Sequence, residues 1–172
     1  DVGNFLSANE DAFFNSIMSY RHSAQSIQDT WFMPYDMLAL RYLYGTKAFA
    51  TGDTVYTYQD SSGQSATNIV DDGGVDTLDF SAVSVPVTVN LTPGAYSSVG
   101  KTTAGTSTLA NLTTSLDAVI EKVIGTAAAD ILQGNLANNS FTGGAGDDVI
   151  DGAAGIDTLM LTSPRSAYAL GK

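Results

Sequence analysis

A glycine that returns every nine residues near the end of the chain constrains the fold more than any other feature. Gly125, Gly134, Gly143 and Gly152 open four segments, which read GTAAADILQ, GNLANNSFT, GGAGDDVID and GAAGIDTLM. In each segment the sixth residue is Asp or Asn, and the eighth is apolar. Glycine tolerates tight turns that a Cβ would hinder, and successive strand residues point to opposite faces. The period therefore predicts a six-residue turn followed by a short strand with one inward side chain, repeated four times.

Turns of this composition suit a hard cation. Two segments are expected to complete one coil of a parallel β-roll, so that alternate turns stack and their carbonyls and carboxylates converge. Calcium accepts about six to eight such oxygens in loose geometry, and the pattern is that of a calcium-binding nonapeptide repeat. The alternative is a run of ordinary Gly-Asp turns, since only GGAGDD fits the pattern fully. The expected calcium ligands of this region are Thr126, Ala128, Asp130, Asn139, Gly143, Gly144, Gly146, Asp148, Ala153, Gly155 and Asp157.

The composition excludes several classes of protein. The 18 acidic and 7 basic residues give a formal charge of −11, and every acid is Asp except Glu10 and Glu121. Short carboxylates favour turns and oxygen-ligand sites, whereas a nucleic-acid-binding protein needs a basic surface. The sequence has no apolar stretch long enough to span a membrane and no cysteine for disulfides. We therefore expect neither a nucleic acid nor a membrane as partner.

The chain divides into three zones of different composition. Residues 1–45 hold the only Trp and the only His, and Pro34 and Gly45 predict the start and end of a helix. Residues 46–124 are rich in Thr, Ser, Val and Gly, with the alternation of strands. Residues 125–160 hold the repeats. This order predicts a mainly β chain with a small α-containing part at its beginning.

Four motifs resemble, in the same order, those of the serralysin-type metzincins, which are secreted zinc metalloproteases. SIMSY at 16–20 resembles their Met-turn, although alone it also fits a buried Met in a turn. TGDTVY, VDDGGVDTLDF and AVIEKVIGTAAAD resemble later segments of the family. The resemblance implies that Met18 forms an apolar floor beneath the zinc. It also implies that Tyr20 is a displaceable zinc ligand able to stabilise an oxyanion.

The sequence departs from this family in its catalytic residues. Metzincins use H-E-x-x-H-x-x-G-x-x-H, with three His on zinc and a Glu as general base. The chain has one His, His22, which we interpret as a surface residue, and it lacks that motif. We therefore expect a portion of a protease in which the motif precedes residue 1 or lies on a second chain. Zinc is expected only with that missing segment, and the chain alone is expected to be inactive.

The resemblance also implies calcium sites outside the repeats. The first is formed by the carbonyls of Ala50 and Gly52 with Thr54, and by a partner segment that supplies Asp71, Gly73, Gly74 and Asp76. The alternative for the partner segment is an Asp-Gly hairpin turn. A further site takes Glu121 with the Val119 carbonyl and Asp130, unless Glu121 is simply an exposed strand residue.

Together these observations predict a β-sandwich merging into a parallel β-roll, preceded by a small α-containing remnant of a metzincin protease domain. The expected domains are residues 1–45, with the Met-turn and closing helix, and residues 46–172, with the calcium-binding region. The resemblance implies a secreted, extracellular zinc endopeptidase of a bacterium, exported by type I secretion, with a protein or peptide substrate. The alternative function is a non-catalytic calcium-binding module for secretion, adhesion or surface display.

Overall fold

A computed structural model describes residues 28–29, 34–45, 48–61, 65–101, 105 and 110–162. Within these residues the regular secondary structure is mostly strand, with one α-helix, α1 (Pro34–Tyr44). None of the described helical residues forms a segment long and apolar enough to cross a bilayer. The strands are β1 (Gln28–Asp29), β2 (Val55–Gln59), β3 (Ser65–Ile69), β4 (Thr77–Ala82), β5 (Thr88–Asn90), β6 (Tyr96–Ser97), β7 (Leu112–Thr114), β8 (Lys122–Ile124), β9 (Ile131–Gln133), β10 (Ser140–Thr142), β11 (Val149–Asp151) and β12 (Thr158–Leu159).

Helix α1 has the bounds that its flanking residues predict. It begins at Pro34, whose fixed φ suits a first helical turn, and Gly45 follows it with φ +80°. Arg41, in its last turn, donates to Asp72 at 2.6 Å and also forms an ion pair with Asp117. The helix is therefore attached to the β region through two acidic side chains.

The repeats form coils with the predicted eighteen-residue period. Strands β8, β10 and β12 lie in one parallel sheet, while β9 and β11 lie in another. Phe141 pairs with Val123 and Leu159, and Ile150 pairs with Leu132. Successive strands thus alternate between two sheets, because each glycine-rich turn carries the chain from one sheet to the other.

Parallel pairing continues upstream of the repeats, where the sequence predicted a sandwich. The first sheet has the order β12-β10-β8-β4-β2, and the second has the order β11-β9-β5. A third sheet, β1-β3-β7-β6, is parallel except for the antiparallel β6–β7 pair. The stacking of the repeats therefore extends two sheets that begin upstream, the first at β2 and the second at β5.

One apolar core lies between the sheets. The first three repeats contribute their eighth residues, of which Leu132 and Phe141 are buried and Ile150 is partly buried. Leu159, the eighth residue of the last repeat, is exposed. The residues before and within β5 alternate between buried and exposed positions, since Val87 and Val89 are buried and Thr88 is exposed. The upstream core includes Leu78, Phe80, Val87, Val89, Leu91, Val99, Leu112, Ile120 and Val123, all fully buried. This core holds the turns at the edges of the sheets in fixed register.

Candidate calcium sites

Two turns from distant parts of the chain face each other where strands β2 and β4 begin. Oδ1 of Asp76 accepts the backbone N–H of Thr54 at 2.8 Å. A Cβ on Gly74 would lie 2.7 Å from the Gly52 carbonyl oxygen, so the two backbones touch. The structure thus brings together the segments that contain the residues predicted for the first site: Ala50, Gly52 and Thr54 with Asp71, Gly73, Gly74 and Asp76.

Buried carboxylates meet at this place. Asp71 and Asp76 are 1% and 0% exposed, and Oε2 of Glu121 accepts the backbone N–H of Asp76 at 2.8 Å. Burial raises the pKa of Asp76, and the neighbouring Asp71 carboxylate raises it further. Burial also raises the pKa of Glu121, with additional contributions from Asp76 and Asp71. Both pKa values are raised because the ionised carboxylates are destabilised by burial and by one another. A bound cation would stabilise the ionised forms instead.

The donors present at this place fit calcium. Oδ2 of Asp76 is buried and accepts no hydrogen bond from the residues that the structure describes. Such an oxygen is destabilising unless a donor or cation approaches it. Among the described residues, no three His, Cys, Asp or Glu side chains converge as a metal-binding group. The donors that the two turns do present are carboxylate and carbonyl oxygens, which suit calcium rather than zinc.

A second set of predicted ligands comes together where turn 143–148 stacks on turn 125–130. Oδ1 of Asp148 accepts the backbone N–H of Asp130 at 3.0 Å. Oδ2 of Asp130 accepts the backbone N–H of Thr126 at 2.6 Å. The two carboxylates therefore lie along one column at the edge of the sheets, one coil apart.

Glycines allow the backbones of these stacked turns to approach each other closely. Gly144 and Gly146 have φ +105° and +109°, which L side chains rarely adopt. A Cβ on Gly144 would clash with the Thr126 carbonyl oxygen, and one on Gly146 would lie 2.6 Å from the Ala128 carbonyl oxygen. Likewise, a Cβ on Gly125 would clash with the Gly143 carbonyl oxygen. Only glycine permits this approach, which places the carbonyl oxygens of one turn close to the backbone of the next.

The opposite edge has the same stacking but a different donor set. Oδ1 of Asp157 accepts the backbone N–H of Asn139 at 2.8 Å, and a Cβ on Gly155 would lie 2.6 Å from the Ala137 carbonyl oxygen. Ala153 stands at φ +65°, where the third repeat has glycine. Asn139, Ala153, Gly155 and Asp157 are therefore assembled on one edge, as the repeat predicts.

Glu121 lies elsewhere than its predicted grouping implies. Its carboxylate contacts Asp76, whereas the Asp130 carboxylate accepts from Thr126 and from the backbone N–H of Val87. The reason is that β8 pairs directly with β4, so Glu121 enters the sheet beside the end of the Asp71–Asp76 turn. Val119, two residues earlier, is 41% exposed. The zinc-related residues Met18 and Tyr20 lie outside the described residues.

Two side-chain contacts at the facing turns were not predicted. The hydroxyl of Tyr56 donates to Oδ2 of Asp71 at 2.6 Å, and Oδ1 of Asp53 accepts the N–H of Val75 at 2.9 Å. Burial and the Asp71 carboxylate raise the pKa of Tyr56, so its hydroxyl keeps the proton that it donates. Both residues belong to the segment TGDTVY, but only the pairing of β2 with β4 shows what they contact.

Comparison with known proteins agrees with this arrangement. Residues 124–159 match the RTX calcium-binding nonapeptide repeat in four copies. Serralysin G of Dickeya chrysanthemi is 37% identical over 146 residues, which cover 76% of this chain and 30% of the relative. The chain is therefore similar to serralysins over most of its own length. Its four glycine-rich turns are RTX repeats, and RTX repeats indicate calcium binding.

Further serralysin-type relatives show the same partial coverage. Serralysin of Proteus mirabilis is 36% identical over 62% of this chain and 23% of its own length. Metallopeptidase AprA of Pseudomonas marginalis is 33% identical over 60% of this chain and 23% of its own length. The chain thus spans less than a third of the curated relatives that it matches.

Proposed function

We propose that this chain is the calcium-dependent folding and secretion region of a serralysin-like zinc endopeptidase, together with the Met-turn wall of its active site. The calcium part of the proposal is supported by the RTX repeats and by the carbonyl-lined turns at both edges of the roll. The protease part is supported by similarity to serralysins and to a metallopeptidase. Export from a bacterium by type I secretion, with action outside the cell, follows from that similarity.

The observation that carries the calcium proposal is the buried Asp76 carboxylate. One oxygen accepts the Thr54 N–H, while the other accepts no hydrogen bond from the described residues. Burial raises the pKa of Asp76, and the nearby Asp71 and Asp53 carboxylates raise it further, so its charged form is costly without a cation. A bound calcium ion would supply two positive charges and accept these oxygens as ligands.

The residues around Asp76 hold the two turns in place for such an ion. Tyr56 orients Asp71 by donating to it, and the Asp71 Oδ1 accepts the N–H of Gly73 at 3.0 Å, which fixes the turn. Thr54 donates its hydroxyl to the Gly52 carbonyl at 2.9 Å. Asp71 is thereby oriented, and Ala50, Gly52, Gly73 and Gly74 offer carbonyls from two facing backbones.

The test compares calcium binding by the parent chain with two variants of equal charge change. Asp76→Asn removes a charge from the site, and Asp79→Asn removes one from a partly exposed position whose Oδ1 caps Ser81. We expect Asp76→Asn to weaken binding by about tenfold or more, and Asp79→Asn to bind as the parent does. Titration calorimetry measures both. Equal affinities, or a parent that binds no calcium, would refute the calcium part of the proposal.

The protease part has its own test. Without the three His ligands and the Glu base, these residues have no means of activating a zinc-bound water, so the chain alone should not cleave casein with zinc and calcium added. Tyr20→Phe should change nothing measurable in the isolated chain, but should reduce turnover in a complete protease. Cleavage by the isolated chain that a zinc chelator abolishes would overturn this assignment.

A further inference from the structure

The turn Gly134–Asn139 differs from the other three turns in its side chains. Its second and sixth residues are both Asn, whereas the sixth residue of the other turns is Asp. The Oδ1 atom of Asn139 makes the same contact as a carboxylate oxygen of Asp130. It accepts the backbone N–H of Asn135 at 2.9 Å, just as Oδ2 of Asp130 accepts the backbone N–H of Thr126. The difference lies in the second polar atom of the side chain, which is the amide nitrogen Nδ2 in Asn139 and a carboxylate oxygen in Asp.

The Nδ2 atom of Asn139 faces carbonyl oxygens of the preceding coil. Its Nδ2 donates to the Ile120 carbonyl at 3.2 Å and lies 3.5 Å from the Glu121 carbonyl. The corresponding oxygen of Asp148 accepts a backbone N–H, from Asp130, and that of Asp157 accepts the N–H of Asn139. Because carbonyl oxygens only accept, a carboxylate at position 139 would be repelled unless a cation lay between them.

Asn135 completes the contact from the same turn. Its Nδ2 donates to the Ile120 carbonyl at 2.8 Å and lies 3.4 Å from the Leu91 carbonyl, and its Oδ1 accepts the N–H of Ala137 at 2.8 Å. Asn135 is 4% exposed and Asn139 is 2% exposed. Two buried carboxamides therefore converge on the carbonyl of Ile120, which is itself in the core.

We propose that Asn135 and Asn139 close the junction between Ile120 and the first full coil of the roll with amide donors, at a place where Asp would require a calcium ion. The junction joins the upstream sheets to the roll at any calcium concentration. In this proposal the Nδ2 atom of Asn139 binds the Ile120 carbonyl and does not face an ion. The other stacked turns, whose sixth residues are Asp, remain the places where calcium contributes to folding.

The test measures unfolding free energy as a function of free calcium, because the slope against the logarithm of calcium counts the ions coupled to folding. Asn139→Ala should lower stability equally at every calcium concentration, giving a line parallel to that of the parent. We expect its Tm to fall by about 5 °C or more, since the Ile120 carbonyl loses one of its two amide donors and the buried N–H of Asn135 loses its acceptor. Asp148→Ala should instead flatten the line.

The control is Asn138→Ala, an exposed neighbour whose Oδ1 accepts the N–H of Ile156 at 2.8 Å, and it should follow the parent closely. The isosteric Asn139→Asp should steepen the line, because its carboxylate then needs an ion. The inference is overturned if Asn139→Ala flattens the line as Asp148→Ala does, if its Tm matches that of Asn138→Ala, or if Asn139→Asp keeps the parent slope. A parent whose stability did not change with calcium would refute the proposed function, and the inference would then stand only if the two alanine variants still differed in Tm and Asn139→Asp gained a calcium dependence that the parent lacks.

Discussion

The backbone N–H of Asp76 donates to Oε2 of Glu121 at 2.8 Å, so a turn and a strand that are 45 residues apart share one buried acidic place. The contact exists because β4 and β8 are neighbours in the first sheet. Burial raises the pKa of both carboxyl groups above their ordinary values. The calcium-free protein therefore carries charge where charge is destabilising.

The first prediction concerns pH in the absence of calcium. The folded state holds the Asp76 proton more tightly than the unfolded state does. The contribution of this carboxyl group to the free energy of unfolding therefore falls as pH rises through its folded pKa. The neutral variant Asp76→Asn should therefore be more stable than the calcium-free parent at about pH 7. The difference should shrink as the pH falls towards about 4. Denaturant titrations across this range measure it.

Saturating calcium should reverse the order of these two proteins at neutral pH, because the parent alone keeps a charged ligand for the ion. A variant that is less stable than the parent under both conditions would show that the charge of Asp76 is not the cause.

The second prediction separates two adjacent acids of the third repeat. Asp148 is the sixth residue, and its Oδ1 lies on the stacked turn, at the backbone N–H of Asp130. Asp147 offers at most a carbonyl, which alanine retains. Asp148→Ala should therefore weaken calcium binding more than Asp147→Ala in a calorimetric titration. Equal losses, or a larger loss for Asp147→Ala, would mean that the phase of the repeat is wrong.

The third prediction tests the close approach of stacked backbones. Gly144→Ala places a Cβ against the Thr126 carbonyl at φ +105°, whereas Gly45→Ala has a similar strain at φ +80° but no described atom within 4 Å. Backbone strain alone costs about 1–3 kcal/mol at either position. Gly144→Ala should cost clearly more than Gly45→Ala in the unfolding free energy at saturating calcium. Equal costs would contradict the contact.

The repeat could be predicted from sequence because its spacing carries the fold directly. A nine-residue period with Gly, Asp and one apolar residue determines the coil length, the inward residues Leu132 and Phe141, and the stacking of Asp148 on Asp130. Helix α1 was equally predictable, because Pro34 and Gly45 act on the local backbone.

The upstream pairings could not be predicted, because they join segments without a common period. β2 and β4 pair although they are separated by β3, and β4 pairs with β8 across three intervening strands. These pairings place Glu121 beside Asp76 and Tyr56 beside Asp71. Local pattern also could not show that the Asn139 amide meets the Ile120 carbonyl, since that depends on the preceding coil.

The most direct test of the account is circular dichroism of the chain as calcium is removed and restored. The stacked turns place Asp148 over Asp130 and leave the Asp76 Oδ2 without a donor in the described structure, so without the ion their folding is opposed by charge and by the entropy of ordering glycine. The account predicts that excess chelator removes strand signal and lowers the Tm, and that calcium restores both. An unchanged spectrum and an unchanged Tm in excess chelator would contradict it.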